Sequence, residues 1–421
     1  MAVSAFFTAE LSASDVTDLS LSEAYALILD ANHDIRSAEE GVQQGILLKK
    51  QAVTVLFPKL IALAGYGWQS FSDGTETDGS NWGISLDQTI YNGGRVWVAK
   101  RGAEYTLRAA ELGLEFARQS VLMDLVFRAN QLLSAEDLLQ VSEKRVQRVR
   151  EQLRMAEARL EVGDVPLTSV LAARVALSVA ERERVEAEKQ LQLARRRLAD
   201  LIGSDGVRRV KVPDVAGFSP ETPLDVLQQR AGENRADLKQ TMEMVRVAQQ
   251  EARMAGRADG VNVDLAGSYM NYSEDSLFTP ETQFSVTVNW PFFQGGLVGL
   301  QEKAALSQVR QAEESYGKQV QAVRLQVEEA LLNLRSLRAQ EGLVRSNLEN
   351  ALENHRLARV QFELGAAVGL DVLDAEESLA EAENLAVNHK YETRTARAAL
   401  LYVTGSLDRE AFSAGSLSES P

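Results

Sequence analysis

Leu86-Asp87-Gln88-Thr89-Ile90-Tyr91-Asn92-Gly93-Gly94 and Val288-Asn289-Trp290-Pro291-Phe292-Phe293-Gln294-Gly295-Gly296 lie 202 residues apart (288 − 86). Each is an apolar-alternating run closed by Gly-Gly ahead of a very long helical stretch. The same offset joins Arg159-Leu160-Glu161-Val162-Gly163 to Gln361-Phe362-Glu363-Leu364-Gly365, and Leu201-Ile202-Gly203-Ser204 to Val403-Thr404-Gly405-Ser406. One unit occurs twice, so function must come from how two units sit together.

Working outward from these runs gives one plan, repeated. Segment 1–17 fits the tail of a signal peptide, with Leu11-Ser12-Ala13 as a small-residue cleavage site, although no basic region precedes it. Repeat 1 spans 18–204, a linker 205–221, repeat 2 222–406 and a tail 407–421. Ser20 followed by Glu23 is a capping box, and Thr222-Pro223-Leu224-Asp225 repeats it with Pro at the first helical position. Each opens a helix of roughly 35 residues, ending near Leu56 or Gly256. Strands are expected at about 58–71 and 81–91, and at 260–272 and 282–293. Trp82, Ile84, Leu86 and Ile90 alternate with polar neighbours, as do Val263, Leu265 and Tyr269, and Phe284, Val286 and Val288. The polar stretches Ser72 to Ser80 and Ser273 to Glu281 read as exposed loops.

Such strands are long enough to cross a bilayer when tilted, and Trp68, Phe71, Trp82, Tyr91, Tyr272, Trp290 and Phe292 gather near their ends. An ordinary soluble sandwich reads the same alternation. Four strands cannot close a barrel in lipid, whereas three chains would supply twelve. After each Gly-Gly comes a helix of about 67 residues, Arg95 to Val162 or Leu297 to Leu364, about 100 Å long at 1.5 Å per residue. A glycine turn then reverses the chain into a helix of about 35 residues. Leu132, Ala135, Leu139, Val146, Val149, Leu153, Ala156 and Leu160 form a coiled-coil seam. Gln319, Gln326, Asn333, Gln340, Asn347, Asn354 and Gln361 repeat at heptad spacing, either as a solvent face or as the polar lining of a channel.

Composition narrows the class. The chain has 421 residues, 45% of them apolar, and a net charge of −15 with no clustered basic surface, which argues against nucleic acid. The absence of cysteine removes disulfides, thiolate metal sites and a lipid-modified N-terminal cysteine. His33, His355 and His389 show no metal spacing, and there is no phosphate loop or nucleophile grouping, so no metal, cofactor or enzymatic activity is expected.

Helix, strand pair ending in Gly-Gly, long helix, glycine turn and returning helix, all twice over residues 18 to 407, resemble the TolC family of trimeric outer-membrane efflux channels. The resemblance implies a mainly α fold with β: a 12-stranded transmembrane barrel, four strands per chain, continuous with a 12-helix periplasmic tunnel. It implies a homotrimer in the outer membrane of a Gram-negative bacterium, with outer-membrane lipid around the barrel. A periplasmic adaptor and an inner-membrane pump of RND or ABC type would be its partners in efflux or type I secretion. Gly93, Gly94, Gly295 and Gly296 would mark the junction of barrel and tunnel. Val162, Gly163 and Asp164, with Leu364, Gly365 and Ala366, would face the adaptor.

Asp371 and Asp374, spaced i, i+3 on one helix face, would ring the narrowed periplasmic end, where six carboxylates attract cations and disfavour full ionisation. The plain alternative is two exposed acids favoured by a helix N-terminus. Ser169 and Ala172 stand at the first-repeat equivalents of that pair, while Phe362 and Ala367 stand where polar donors often pin the inner helices, so apolar packing is expected at this end. A coiled-coil scaffold or periplasmic adaptor with a small strand sandwich is the rival reading. Its strands would have no reason to be of barrel length and rimmed with aromatics.

Overall fold

The computed structural model describes residues 17–70, 72, 74, 76–204, 207–211, 218–272 and 280–407. The signal-peptide remnant, Phe71, most of the loop at 273–281, much of the linker and the tail after 407 therefore lie outside the described residues. Among the described residues, those up to Arg36, those within Phe116–Arg235 and those from Ala322 to Leu407 form one compact unit, and those within Ser37–Glu115 and Ala236–Gln321 form another.

The first unit opens with β1 (Thr17–Ser20) and α1 (Leu21–Ala31). Ser20 N–H donates to Glu23 at 2.8 Å and Glu23 N–H donates to the Ser20 hydroxyl at 3.2 Å, the reciprocal capping box expected. This contact, through the Ser20 backbone and side chain, lowers the Glu23 carboxyl below its ordinary value. The single long helix expected here is instead two, because the chain turns extended at Asn32 and resumes as α2 (His33–Gln51). The Asn32 carboxamide oxygen accepts from the N–H groups of Asp34 and Ile35 at 2.9 and 3.2 Å, capping the second helix.

The same division recurs at Arg235 between α5 (Leu224–Asn234) and α6 (Ala236–Ala255). Pro223 precedes α5 as its cap rather than forming its first residue. The linker also contains a strand that was expected as loop: β4 (Val207–Lys211) pairs parallel with β1.

The long helices are α3 (Arg95–Glu161), α4 (Leu167–Ile202), α7 (Leu297–Glu363) and α8 (Gly369–Val403). Within this unit α3 and α4 share a seam of Val146, Val149 and Ala180. Ala351, Leu379 and Ala382 do the same for α7 and α8. Of the seam expected on α3, Leu132, Ala135, Val146, Val149 and Ala156 are buried. Small residues let these helix axes approach closely.

The second unit holds the sheet, with strands β2 (Lys59–Ser70), β3 (Glu76–Asn92), β5 (Asn262–Tyr272) and β6 (Glu281–Asn289) in the order β2-β3-β5-β6, all antiparallel. β3 starts well before residue 81, consuming part of the expected loop. β6 stops at Asn289 because Pro291 has no N–H to give to a ladder.

The register brings the alternations together. Leu60, Ala62 and Ala64 face Leu86, Ile84 and Trp82, and Tyr269 faces Ile84. Phe284, Val286 and Val288 then stand opposite Gly267, Leu265 and Val263. One face is therefore apolar across all four strands, with Trp82 and Tyr269 edge to face at 5.8 Å. The other carries Ser85, Asp87, Ser268, Gln283, Ser285 and Thr287, and Thr89 donates to Asp264 at 2.8 Å. Among the described residues no helix is long and apolar enough to cross a membrane, a statement that leaves strands aside.

Gly83 is the tight point of the sheet. A Cβ there would overlap the Tyr269 carbonyl oxygen and the Met270 sulfur. Gly83→Val is expected to part β3 from β5, at a cost of at least about 1–3 kcal/mol, the usual range for overpacking. Loss of strand signal in circular dichroism, at a lower temperature than in wild type, is the measurement.

Candidate functional site

The hairpin ends are built alike. Gly163 N–H donates to the Leu160 carbonyl at 2.9 Å and Asp164 N–H to Arg159 at 2.9 Å, while Gly365 donates to Phe362 at 3.0 Å and Ala366 to Gln361 at 2.8 Å. Both glycines have φ +77°, the left-handed region that closes a helix at least cost. Val162 (78% exposed) and Leu364 (79%) project from the turns, and Gly163, Asp164, Gly365 and Ala366 are exposed beside them.

Asp371 and Asp374 lie in the first turns of α8, both exposed. Asp371 Oδ2 accepts from Val368 N–H at 3.0 Å, so this carboxylate also caps the helix. Phe362 is buried (1% exposed), and a Cβ on Gly369 would touch its ring at 3.6 Å and the Ser169 Cβ at 3.9 Å. Ser169 and Phe362 thus meet across Gly369, whereas Ala172 and Ala367 are half-buried and make no polar link.

Arg159 adds a polar link to the packing at this end. From the last turn of α3 it donates to the Phe362 carbonyl at 2.6 Å and the Glu363 carbonyl at 3.3 Å, pairs with Asp164 at 3.2 Å, and lies over the Phe362 ring at 4.6 Å. One guanidinium adds donors to the last carbonyls of α7 and closes its own turn. In the sequence Arg159 reads only as a basic residue favoured by a helix C-terminus.

Further along the hairpins, charged side chains tie α3 to α8. Arg148 donates to Glu376 at 2.9 Å and Glu383 at 2.8 Å, and His355 of α7 meets Glu376 at 3.1 Å. Burial works against the Arg148 charge, but Glu383 and Glu376 outweigh it and hold the guanidinium above its ordinary range. Asp137 accepts from Tyr391 at 2.8 Å and Lys390 at 3.0 Å.

Burial first, then the Asp137 bond, raises the Tyr391 phenol above its usual value. A raised folded value means this contribution to stability is complete below the unfolded pKa and is lost as pH rises through the folded one. Asp137→Asn keeps an acceptor but removes the negative charge that opposes phenolate formation, so Tyr391 is expected to ionise at lower pH, read as the component of the phenolate absorbance that Tyr391→Phe removes.

The amide heptad is not uniform. Gln319 is half-buried and donates to Asp237 at 3.0 Å, and Gln326 accepts from Arg235 at 2.8 Å. Asn333, Gln340, Asn347, Asn354 and Gln361 are exposed. Gly93 and Gly94 (φ +67° and +73°), with Gly295 and Gly296 (φ +60° and +84°), turn the sheet strands into α3 and α7. Gly93 packs closely on Gly260, where a Cβ would lie 3.0 Å from Cα.

The chain thus joins a sheet with one apolar face, through left-handed glycine pairs, to long helical hairpins. The chain belongs to the outer membrane efflux protein family, whose pattern it matches over residues 24–204 and 227–406. It is 25% identical to the outer membrane protein TolC of Vibrio cholerae over 355 residues, 80% of each chain. It is 22% identical to the alkaline protease secretion protein AprF of Pseudomonas aeruginosa over 420 residues, 94% of this chain and 86% of that one. The crystal structure of the Campylobacter jejuni CmeC outer membrane channel superposes with a TM-score of 0.79 at 17% identity, covering 96% of this chain and 90% of the other. The family is one of transport channels, and its members are outer-membrane proteins.

Proposed function

We propose that the protein is the outer-membrane duct of a tripartite efflux or type I secretion system, formed by three copies of this chain. The observation that carries the reading is the sheet: its apolar face is exposed, and β2 and β6 each have an unpaired edge in the single chain. Open strand edges are not tolerated in lipid, so the sheet must close on further copies, and twelve strands make a barrel of ordinary size. The apolar face then meets outer-membrane lipid and the polar face lines the pore.

The hairpins extend the duct into the periplasm of a Gram-negative cell as a 12-helix tunnel. Gly93, Gly94, Gly295 and Gly296 mark the junction, and the exposed amides from Asn333 to Gln361 line part of the passage. The turns at 162–164 and 364–366 meet a periplasmic adaptor, whose partner pump, of RND or ABC type, supplies drive and selectivity. Asp371 and Asp374 form the acidic constriction, with Ser169, Ala172, Phe362 and Ala367 packed around it. Relatives named for alkaline protease secretion and for pyoverdine export leave the cargo class open.

Planar bilayers test the duct directly. Detergent-purified trimer is expected to insert and give stable unitary conductance. Well-folded protein that never conducts and leaves membranes on carbonate washing without detergent would replace the duct by a coiled-coil scaffold.

A further inference from the structure

Beside the segment 218–222 an open cavity of about 820 Å³ is walled by Phe218, Glu221, Arg335, Arg338, Thr393 and Arg397, among others. Arg335 ties the segment down, donating to the Pro220 carbonyl at 2.7 Å and the Thr222 carbonyl at 3.2 Å. Arg230 lies over the Phe218 ring at 5.2 Å and fixes it. Three arginines against one acid is out of character for a chain of net charge −15.

The offset of 202 residues exposes what is missing. Arg338 and Arg397 correspond to Glu136 and Arg195 (338 − 202 and 397 − 202). In the first half Glu136 pairs with Arg195 at 3.4 Å and also with Arg209. The second half has arginine in place of that carboxylate. Arg397 makes no hydrogen bond or ion pair with any described residue. Among the described residues Arg338 is engaged only by Glu341, an exposed neighbour on its own helix, in a pair too weak to hold it. Thr393 also lines the cavity.

We propose that this cavity binds a small organic molecule through a phosphate or carboxylate oxyanion, which takes the place that the Glu136 carboxylate holds in the first half. Guanidinium forks match both oxyanions in bidentate geometry. The volume is that of a small-molecule site rather than of a bare ion, and Phe218 and Leu334 offer it an apolar edge. The inference does not depend on the duct, because conductance and binding are read separately.

Calorimetric titration of the detergent-solubilised full chain with pyrophosphate and, in a second arm, with citrate is the test, at fixed ionic strength because screening weakens such contacts. Saturable binding of one equivalent per chain is expected for at least one probe, and the preferred probe identifies the oxyanion. Arg397→Gln is expected to weaken it at least tenfold, while Arg345→Gln, an exposed arginine of the same helix as Arg338 but outside the cavity, leaves it unchanged. Unfolding temperatures without ligand check that both variants fold. Binding of neither probe, or an equal loss in the two variants, overturns the proposal.

Discussion

Arg148→Met is expected to loosen α8 from α3 more than any other single substitution in the hairpins. The side chains of Arg148, Glu376 and Glu383 are 21%, 5% and 16% exposed, so removing the guanidinium strands Glu383 and leaves Glu376 only its contact with His355 in a poorly hydrated site. Breaking such a pair from one side costs about 3–5 kcal/mol, chiefly the penalty of the charge left behind. Hydrogen exchange at α8 amides near Glu376 is the measurement, since it reads local opening without requiring one reversible global transition. Acceleration by about 100-fold or more is expected, from about 1.4 kcal/mol per factor of ten.

A second variant separates charge from packing. Arg148→Met combined with Glu376→Gln and Glu383→Gln leaves no unpaired ion and should recover most of the loss. If the triple variant exchanges as fast as the single one, the contribution of Arg148 is its aliphatic stem rather than its charge.

That cluster was invisible in the sequence, and the reason is physical. Arg148, Glu376 and Glu383 each occupy a helical position where a charge ordinarily faces water, and only the approach of α3 to α8, 228 residues apart at the Arg148 and Glu376 pair, buries them. Arg159 escaped notice likewise, since a basic residue in a last helical turn explains itself locally.

The sheet was more legible because its signal is local. Period-two runs such as Phe284, Val286 and Val288 reveal a face before any partner is known, and Gly-Gly announces a turn that other residues avoid. β4 fails that standard. Val207–Lys211 is five residues long, too short for a pattern, and exists because β1, far away in sequence, pairs with it. The break at Asn32 was also missed, although an Asn followed by acidic Asp34 is a capping signature that could have found it.

Asp371→Asn with Asp374→Asn is expected to abolish block of the open duct by trivalent cations added from the periplasmic side, lowering block affinity at least 100-fold. In the proposed trimer the pair would contribute six carboxylates around one axis. A trivalent ion 4 Å from a single carboxylate gains about 3 kcal/mol even at the dielectric of water, three times the unit-charge value. Two such contacts already exceed the 100-fold loss after generous allowance for screening over a Debye length of about 10 Å. Asparagine is the informative replacement because Asp371 has two roles. Its Oδ2 caps Val368 N–H, and an amide oxygen can take over that bond while removing the charge. Alanine would forfeit the cap as well, confounding a changed pore with a frayed helix end. Unitary conductance without blocker shows whether the double variant still forms the duct. If it conducts normally and is blocked as well as wild type, the two acids are only a helix-end feature and the constriction lies elsewhere. If block vanishes while conductance persists, the charge at the start of α8 is what the cation meets on entering.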